Sequence, residues 1–202
     1  CLANPTTDRR ISEKTLAPFV EANFSFDIGA GQANLIAGLR YEDTIVDSTA
    51  LVPTVIGSYW AAPNEFYLEL DNDNLEYTRV RGGYDVWLPN FDFDIEPIRD
   101  VVLRASYSHT ITRPTYNNLE AGLSYAPLFR QDGAEGSQGN PSLLPFKSEN
   151  FDVSAEWYYG PESYLSVGYF RKNVKNYIDS SGSRQTFIDG ITNPYNGPRA
   201  DA

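Results

Sequence analysis

The chain has 202 residues, of which 41% are hydrophobic and 14% aromatic, and its formal net charge is −11. A surface this acidic repels phosphate backbones, which argues against nucleic-acid binding, and the single cysteine, Cys1, excludes disulfide frameworks and cysteine-based zinc sites. No apolar run reaches the roughly 18 residues of a transmembrane helix, but a membrane-spanning barrel needs strands of only about 9–11 residues.

Apolar and polar residues alternate in six segments, which predicts antiparallel strands with one apolar and one polar face. The first two segments are residues 16–28 and 34–42, and the turn between them, residues 29–33, contains two glycines. The apolar positions are Val20, Ala22, Phe24, Phe26 and Ile28 in the first and Leu35, Ala37, Leu39 and Tyr41 in the second.

The third and fourth segments are residues 84–95 and 101–112, joined by a turn that contains Pro97. Proline fits a tight reversal because its φ angle is already fixed. The apolar positions are Trp87, Phe91, Phe93 and Ile95 in the third and Val101, Leu103, Ala105, Tyr107 and Ile111 in the fourth.

The fifth segment follows a Gly/Asn/Pro loop, ends in aromatic residues, and turns through residues 160–162 into the sixth. Aromatic residues beside a short turn are typical of a spanning strand where hydrocarbon meets water. The sixth pattern fades from Arg171 to Lys175, as expected for a strand that projects into water. The apolar positions are Phe151, Val153, Ala155, Trp157 and Tyr159 in the fifth and Leu165, Val167 and Tyr169 in the sixth.

Long segments separate the three predicted hairpins, at residues 47–83, 114–147 and 179–202. Within the first, residues 65–70 and 75–80 predict a local hairpin. Three short turns on one side and three long loops on the other are the layout of an outer-membrane barrel. The sequence therefore predicts an all-β fold, an antiparallel transmembrane β-barrel fragment with about six spanning strands.

Six motifs, in this order and spacing, resemble the TonB-dependent receptors of the Gram-negative outer membrane, in the subgroup common in Caulobacter-like and Xanthomonas-like bacteria. One departure is His109, where the family more often has Lys or Arg. The motifs are AGLRYEDT (37–44), WLPNFDFDIEPIRD (87–100), SYSHTITRP (106–114), GNPSLLPFKSEN (139–150), LSVGYFRKNVKNYI (165–178) and TNPYNGPRADA (192–202).

The resemblance implies a larger barrel of about 22 strands with a plug inside it. Residues 1–202 are then expected to be a partial barrel domain from which the N-terminal plug is absent. The implied function is import of a scarce substrate (a siderophore, cobalamin or an oligosaccharide) into the periplasm, with no enzymatic activity and no cofactor. The implied partners are outer-membrane lipid, the substrate, and the TonB energy-coupling protein, reached through the missing plug region.

The best binding candidates are four residues of the 114–147 loop. Aromatic side chains in a long loop can stack on a sugar or a flat ligand, or they can pack the loops together. The same alternatives apply to aromatic residues of the other loops. The candidates are Tyr116, Tyr125, Phe129 and Arg130, and the other loop aromatics are Tyr59, Trp60 and Tyr195.

Catalytic and metal-binding chemistry has little support. No nucleophile elbow, phosphate loop or metal cluster is present, and His109 is interpreted as an interfacial polar residue. Asp71 and Asp73 suggest Ca²⁺ only superficially, because the complete calcium-loop pattern is absent. Two other hypotheses remain: a soluble β-sandwich that binds carbohydrate, with its apolar faces packed in a core, and an outer-membrane enzyme on a small barrel.

Overall fold

The computed structural model describes residues 8–29, 31–126, 128–130, 135–180 and 182. Nearly all of them lie in antiparallel strands, and the one α-helix of these residues has only four. In chain order the elements are β1 (Asp8–Leu16), β2 (Phe19–Ile28), β3 (Gly31–Ala62), β4 (Glu65–Ile98), β5 (Val101–Thr112), α1 (Tyr116–Leu119), β6 (Ser124–Tyr125), β7 (Leu128–Arg130), β8 (Gly136–Ser137), β9 (Phe146–Gly160) and β10 (Ser163–Lys175).

Eight of the strands form one open sheet in the order β1-β3-β4-β5-β9-β10. In addition, β2 pairs with β3 and β7 pairs with β4, while β6 and β8 form a separate two-stranded sheet. The sheet does not close on itself within the described residues. The predicted all-β antiparallel architecture is confirmed.

The first predicted strand, residues 16–28, corresponds to β2, and it is preceded by β1, a strand that was not predicted; these two strands pair with successive parts of β3. They are separated at Ala17 and Pro18, where proline has no N–H to donate to a neighbouring strand. The backbone N–H of Tyr41 still donates to the Pro18 carbonyl at 3.0 Å. β1 therefore continues the sheet beyond the predicted limit.

The predicted local hairpin at residues 65–80 is wrong. β3 and β4 instead form one long hairpin of 32 and 34 residues, in which Ala62 pairs with Glu65. Pro53 pairs with Leu75 and Thr54 with Asp71, so residues 72–74 bulge from β4. Pairing along both strands outweighs the local turn preference of the Asp/Asn-rich segment.

The strand register places the apolar residues of the six predicted strands on a single face. One row across the sheet is entirely apolar or aromatic, and the adjacent row on the other face is polar apart from a glycine. Since directly paired residues of antiparallel strands point to the same face, the register confirms the predicted alternation. The apolar row is Phe24, Leu35, Phe93, Ala105, Val153 and Tyr169, and the other is Asn34, Asp94, Arg104, Ser154 and Gly168.

The apolar face is largely uncovered, and most of the buried residues lie elsewhere. Phe24 is 54% exposed and Val167 70%, values far from those of a packed core. The buried side chains cluster where β3 meets the chain between β5 and β9, and they include Val46, Ala50, Leu119 and Ala121. Among the described residues, no helix is both long and apolar enough to cross a membrane.

Candidate ligand-binding groove

The polar face of the sheet encloses a hollow of about 500 Å³. Arg104 lies on this face and forms an ion pair with Glu156 on the neighbouring strand at 3.3 Å. The side chain of Asn34 donates to Asp94 at 2.9 Å. The hollow is lined by charged and hydroxyl groups of the polar face, and they include Asp92, Asp94, Arg104, Ser106 and Asp152.

The segment between β5 and β9, residues 113–145, is here called the cover loop, and its described residues fold back over the polar face beyond this hollow. The backbone N–H of Ala121 donates to the buried Ser48 hydroxyl at 2.9 Å. The carbonyl of Pro141 occupies the space that a side chain at Gly82 would need. Because Ser48 and Gly82 belong to β3 and β4, the cover loop is attached to both strands of the long hairpin.

Arg113 begins the cover loop and anchors it to the sheet. Its Nη2 donates to Glu42 Oε2 at 2.9 Å, and its Nε lies 3.0 Å from Glu13 Oε1 and donates to the Tyr84 hydroxyl at 3.2 Å. Glu42 is only 5% exposed and also pairs with Arg40 at 2.7 Å. A buried carboxylate is tolerated only when it is paired in this way.

The surroundings of Arg113 keep it charged. The hydrogen bond to Tyr84 raises the pKa of the guanidinium, and the carboxylates of Glu42 and Glu13 act in the same direction against partial burial. Arg113 therefore remains a cation at neutral pH. The contact with Glu42 joins residues 71 positions apart and fixes where the chain leaves β5.

Residues 118–121 are held between the sheet and the returning part of the cover loop. Gly139 N donates to the Glu120 carbonyl at 2.7 Å, and Asn140 N donates to the Asn118 carbonyl at 2.7 Å. A Cβ at position 139 would lie 2.6 Å from two carbonyl oxygens, so only glycine fits this approach. Leu119, 2% exposed, faces the protein interior. These contacts fix the conformation of this part of the cover loop.

A polar groove with a volume of about 870 Å³ runs between the cover loop and residues 178–180 and 182. The side-chain amides of Asn117 and Asn118 have no hydrogen-bond partner among the described residues, whereas Gln138 donates to the Ala121 carbonyl at 2.6 Å. Amides both donate and accept hydrogen bonds, so they suit ligands with hydroxyl groups. The polar lining residues include Arg9, Asn117, Asn118, Glu120, Ser124, Ser137, Gln138, Asn140, Asp179 and Ser180.

Tyr116 lies beside the groove, in a smaller hollow of about 270 Å³. Its side chain is 65% exposed. Arg9 and Glu120, an ion pair with atoms 2.9 Å apart, line both the hollow and the groove. Because this cation and this carboxylate neutralise each other, the shared wall has no net charge. Tyr116 is thus the predicted candidate that the structure places next to the polar groove.

Phe129 and Arg130 lie away from the groove, at the far end of the long hairpin. Phe129 stacks on Phe66 with ring centroids 5.4 Å apart, and Phe66 is 1% exposed. Arg130 pairs with Glu65 at 3.3 Å. Both contacts come from the pairing of β7 with β4 and attach the cover loop to the hairpin.

The remaining candidates are placed only in part. Tyr125 lies in β6 opposite Gly136, and its side chain is outside the described part of the structure. Tyr195 lies outside the described residues altogether. Of the hairpin aromatics, Trp60 packs on Phe66 at 4.3 Å between ring centroids, while Tyr59 is 53% exposed.

The calcium hypothesis gains no support from the described residues. They contain no group of three or more His, Cys, Asp and Glu side chains that could hold a metal ion. The Asp71 carboxylate instead accepts a hydrogen bond from the backbone N–H of Asp73 at 3.0 Å, within the bulge of β4. His109 lies on the apolar face, where its Nε2 is 2.7 Å from the Tyr107 hydroxyl.

The model of one protein family, "TonB dependent receptor-like, beta-barrel", matches residues 2–201. The chain belongs to this family. The TonB-dependent receptors are transport proteins of the Gram-negative outer membrane, which agrees with the open antiparallel sheet and its uncovered apolar face. No curated protein and no solved structure matches the chain.

Three residues that position the cover loop fall within motifs on which the resemblance was based, although sequence reasoning had given them no role. Glu42 is in the first motif, Arg113 is the next-to-last residue of the third, and Gly139 begins the fourth. The Arg-Pro pair at positions 113–114 and the Gly-Asn-Pro run at 139–141 were available signals of a fixed loop. Asn117 and Asn118 carry no comparable signal.

Proposed function

We propose that this receptor chain forms part of the wall and mouth of an outer-membrane transporter that imports a scarce substrate. Siderophores, cobalamin and oligosaccharides are the candidate substrates. Residues 1–202 form a partial barrel domain, completed by further strands at both edges of the sheet. Energy reaches the transporter from TonB through a plug outside this chain, and lipid covers the apolar face.

The observation that carries this proposal is the position of the polar groove. The cover loop is fixed to the sheet at both ends of its path across the polar face, by the contact of Arg113 with Glu42 and by the packing of Pro141 against Gly82. In a receptor barrel the polar face lines the lumen, so a groove on it lies at the mouth through which a substrate enters. Its volume is in the range of small-molecule sites, about 300–1,000 Å³.

The lining of the groove favours an uncharged, hydroxyl-rich ligand, which is an oligosaccharide among the three classes. The Arg9 cation is neutralised by Glu120, and Asp179 adds a carboxylate, so an anionic ligand meets no unpaired cation among the described residues that line the groove. The amides of Asn117 and Asn118 are available to hydroxyl groups, and the exposed ring of Tyr116 offers a stacking surface beside them.

The test is substrate binding by the intact receptor carrying Asn117→Ala and Asn118→Ala. Each lost hydrogen bond to an uncharged ligand costs about 0.5–1.5 kcal/mol, so the double variant should bind roughly 5–150 times more weakly. Ser142→Ala is the matched control, because Ser142 is in the same loop but does not line the groove. Equal binding by the double variant and the wild type, at equal outer-membrane levels, would exclude the groove from recognition.

The soluble β-sandwich is the less favoured alternative. A sandwich needs a second sheet packed on the apolar face. The only other sheet in the described residues is the four-residue pair β6–β8, in the cover loop. An isolated chain that stays monomeric and unfolds cooperatively in detergent-free buffer would revive this alternative.

A further inference from the structure

Three basic residues lie together on the apolar face, above the apolar rows. They are Lys147 on β9 and Arg171 and Lys175 on β10, and we call them the outer basic patch. Arg171 pairs with Phe151, and Lys175 pairs with Lys147. Since paired residues share a face, all three side chains belong to the face that carries the lipid-facing aromatic residues.

The strand geometry sets the height of this patch. Trp157 marks the short-turn end of the apolar face, and Lys147 lies ten residues further along the same strand. At about 3.4 Å per residue and a tilt near 40°, this separation corresponds to roughly 26 Å along the membrane normal. The apolar band of such barrels is about 25 Å tall. The two lysines therefore lie at the level of the outer-leaflet headgroups, and Arg171 lies four residues closer to the apolar rows, where a long basic side chain can extend toward the headgroups.

The charges of the patch are not balanced by the protein. Lys175 pairs with Glu149 at 2.5 Å, whereas Lys147 and Arg171 form no ion pair with any residue that the structure describes. Three cations and one carboxylate leave two positive charges, in a chain whose net charge is −11. Lys147 and Lys175 are directly opposite each other, and like charges in this position repel. An anion bound between them would relieve this repulsion.

We propose that the outer basic patch binds the phosphate groups of a lipid in the outer leaflet. Guanidinium and ammonium groups donate charge-assisted hydrogen bonds to phosphate, and basic residues at a membrane surface attract anionic headgroups. The patch lies on the same face as the aromatic rows that contact the acyl chains. One face of the sheet therefore contacts both the headgroup and the chains of a single lipid. This inference rests on the proposed membrane position of the receptor.

Lys172 provides a matched control. It is one residue from Arg171 on the same strand, but it pairs with Asn150 and belongs to the polar face. Removing its charge changes the net charge as much as removing that of Arg171. A general electrostatic effect therefore weakens lipid binding by both variants. Binding of the headgroup at the patch weakens only when the charge of Arg171 is removed.

The experiment reconstitutes the intact receptor in phosphatidylcholine vesicles and titrates in diphosphoryl lipid A or its dephosphorylated form. Wild type should bind the phosphorylated form more tightly, and Lys147→Gln, Arg171→Gln and Lys175→Gln should each weaken that binding about fivefold. Lys172→Gln should leave it unchanged. Glu149→Gln should strengthen it about fivefold, because it frees Lys175 from its carboxylate.

Three outcomes overturn the inference: equal affinity for the two lipid forms, equal loss in Lys172→Gln and Arg171→Gln, or complete displacement of the lipid by millimolar inorganic phosphate. The last would indicate a site for free phosphate. Protease protection of the reconstituted receptor separates this inference from the proposed function. A receptor that fails to insert into vesicles with either form of lipid A contradicts both the proposed function and this inference. A receptor that inserts but binds the two forms of lipid A equally contradicts only the headgroup site.

Discussion

Arg113→Gln should release the cover loop while leaving the barrel wall intact. The substitution removes the guanidinium that contacts Glu42, Glu13 and Tyr84 and leaves Glu42, 5% exposed, with Arg40 as its only cation. Breaking a fully buried ion pair costs about 3–5 kcal/mol. Because the Arg113 side chain is 43% exposed, water replaces part of the lost interaction, and about 1–2 kcal/mol is expected.

The assay is hydrogen exchange of the backbone amides that hold the cover loop. The amide of Ala121, bonded to Ser48, should exchange about 5–30 times faster in Arg113→Gln, since it exchanges by local opening of the loop. Arg99→Gln is the control, because Arg99 is 93% exposed and its contact with Asp100 is 3.8 Å long. Unchanged exchange at Ala121, or equal acceleration throughout β5 and β9, would refute the anchoring role.

Three further predictions concern the loop and the two faces of the sheet. Gly139→Ala should destabilise the cover loop by about 1–3 kcal/mol, because the added Cβ overlaps two carbonyl oxygens; faster exchange of the Asn140 amide, which donates to the Asn118 carbonyl, checks this. In barrels unfolded from bilayers, Val153→Arg should cost about 2–4 kcal/mol if the site is near the midplane, whereas Ser154→Arg on the polar face should cost much less. Equal losses would invert the assignment of the faces. The isolated chain should aggregate in detergent-free buffer, as light scattering will detect, since it exposes strand edges and apolar rows.

The spanning strands were predictable because the two faces meet different solvents. Phe91, Phe93 and Val153 must alternate with Asp92 and similar residues if one face meets hydrocarbon and the other water. That constraint acts on every second residue and is visible in a single sequence. The paired rows of the sheet repeat it across six strands, which is why the fold class could be derived before the structure.

Beyond the apolar band, strands need not alternate apolar and polar residues. The strands there were therefore predicted less accurately. β1 contains Arg9, Arg10 and Lys14 and has no apolar alternation, yet it pairs with β3 over nine positions. The turn expected at residues 71–74 became a bulge because pairing with β3 continues on both sides of it. In water, both faces of a hairpin can be polar, so register depends on contacts that no local pattern encodes.

The groove could not be predicted, because each of its supports joins distant parts of the chain. Glu42 and Arg113 were both visible in motifs, but nothing in either motif says that the two residues meet. Tyr116 could be selected as an exposed loop aromatic, and the structure places it beside the groove. The same criterion selected Phe129, which packs on Phe66, because exposure and packing cannot be distinguished from residue type alone.

The position of Arg113 separates motion of the cover loop from motion of the wall. Arg113 follows the last residue of β5 directly, so its contacts with Glu42 and Glu13 lie at the junction between a spanning strand and the loop. Opening these contacts loosens the chain directly after Thr112 without breaking any pair between β5 and β9. The bond from Ala121 to Ser48 and the pairing of β7 with β4 still hold the rest of the loop. The effect of Arg113→Gln should therefore be largest in the first residues of the cover loop and absent from the strand pairs of the wall.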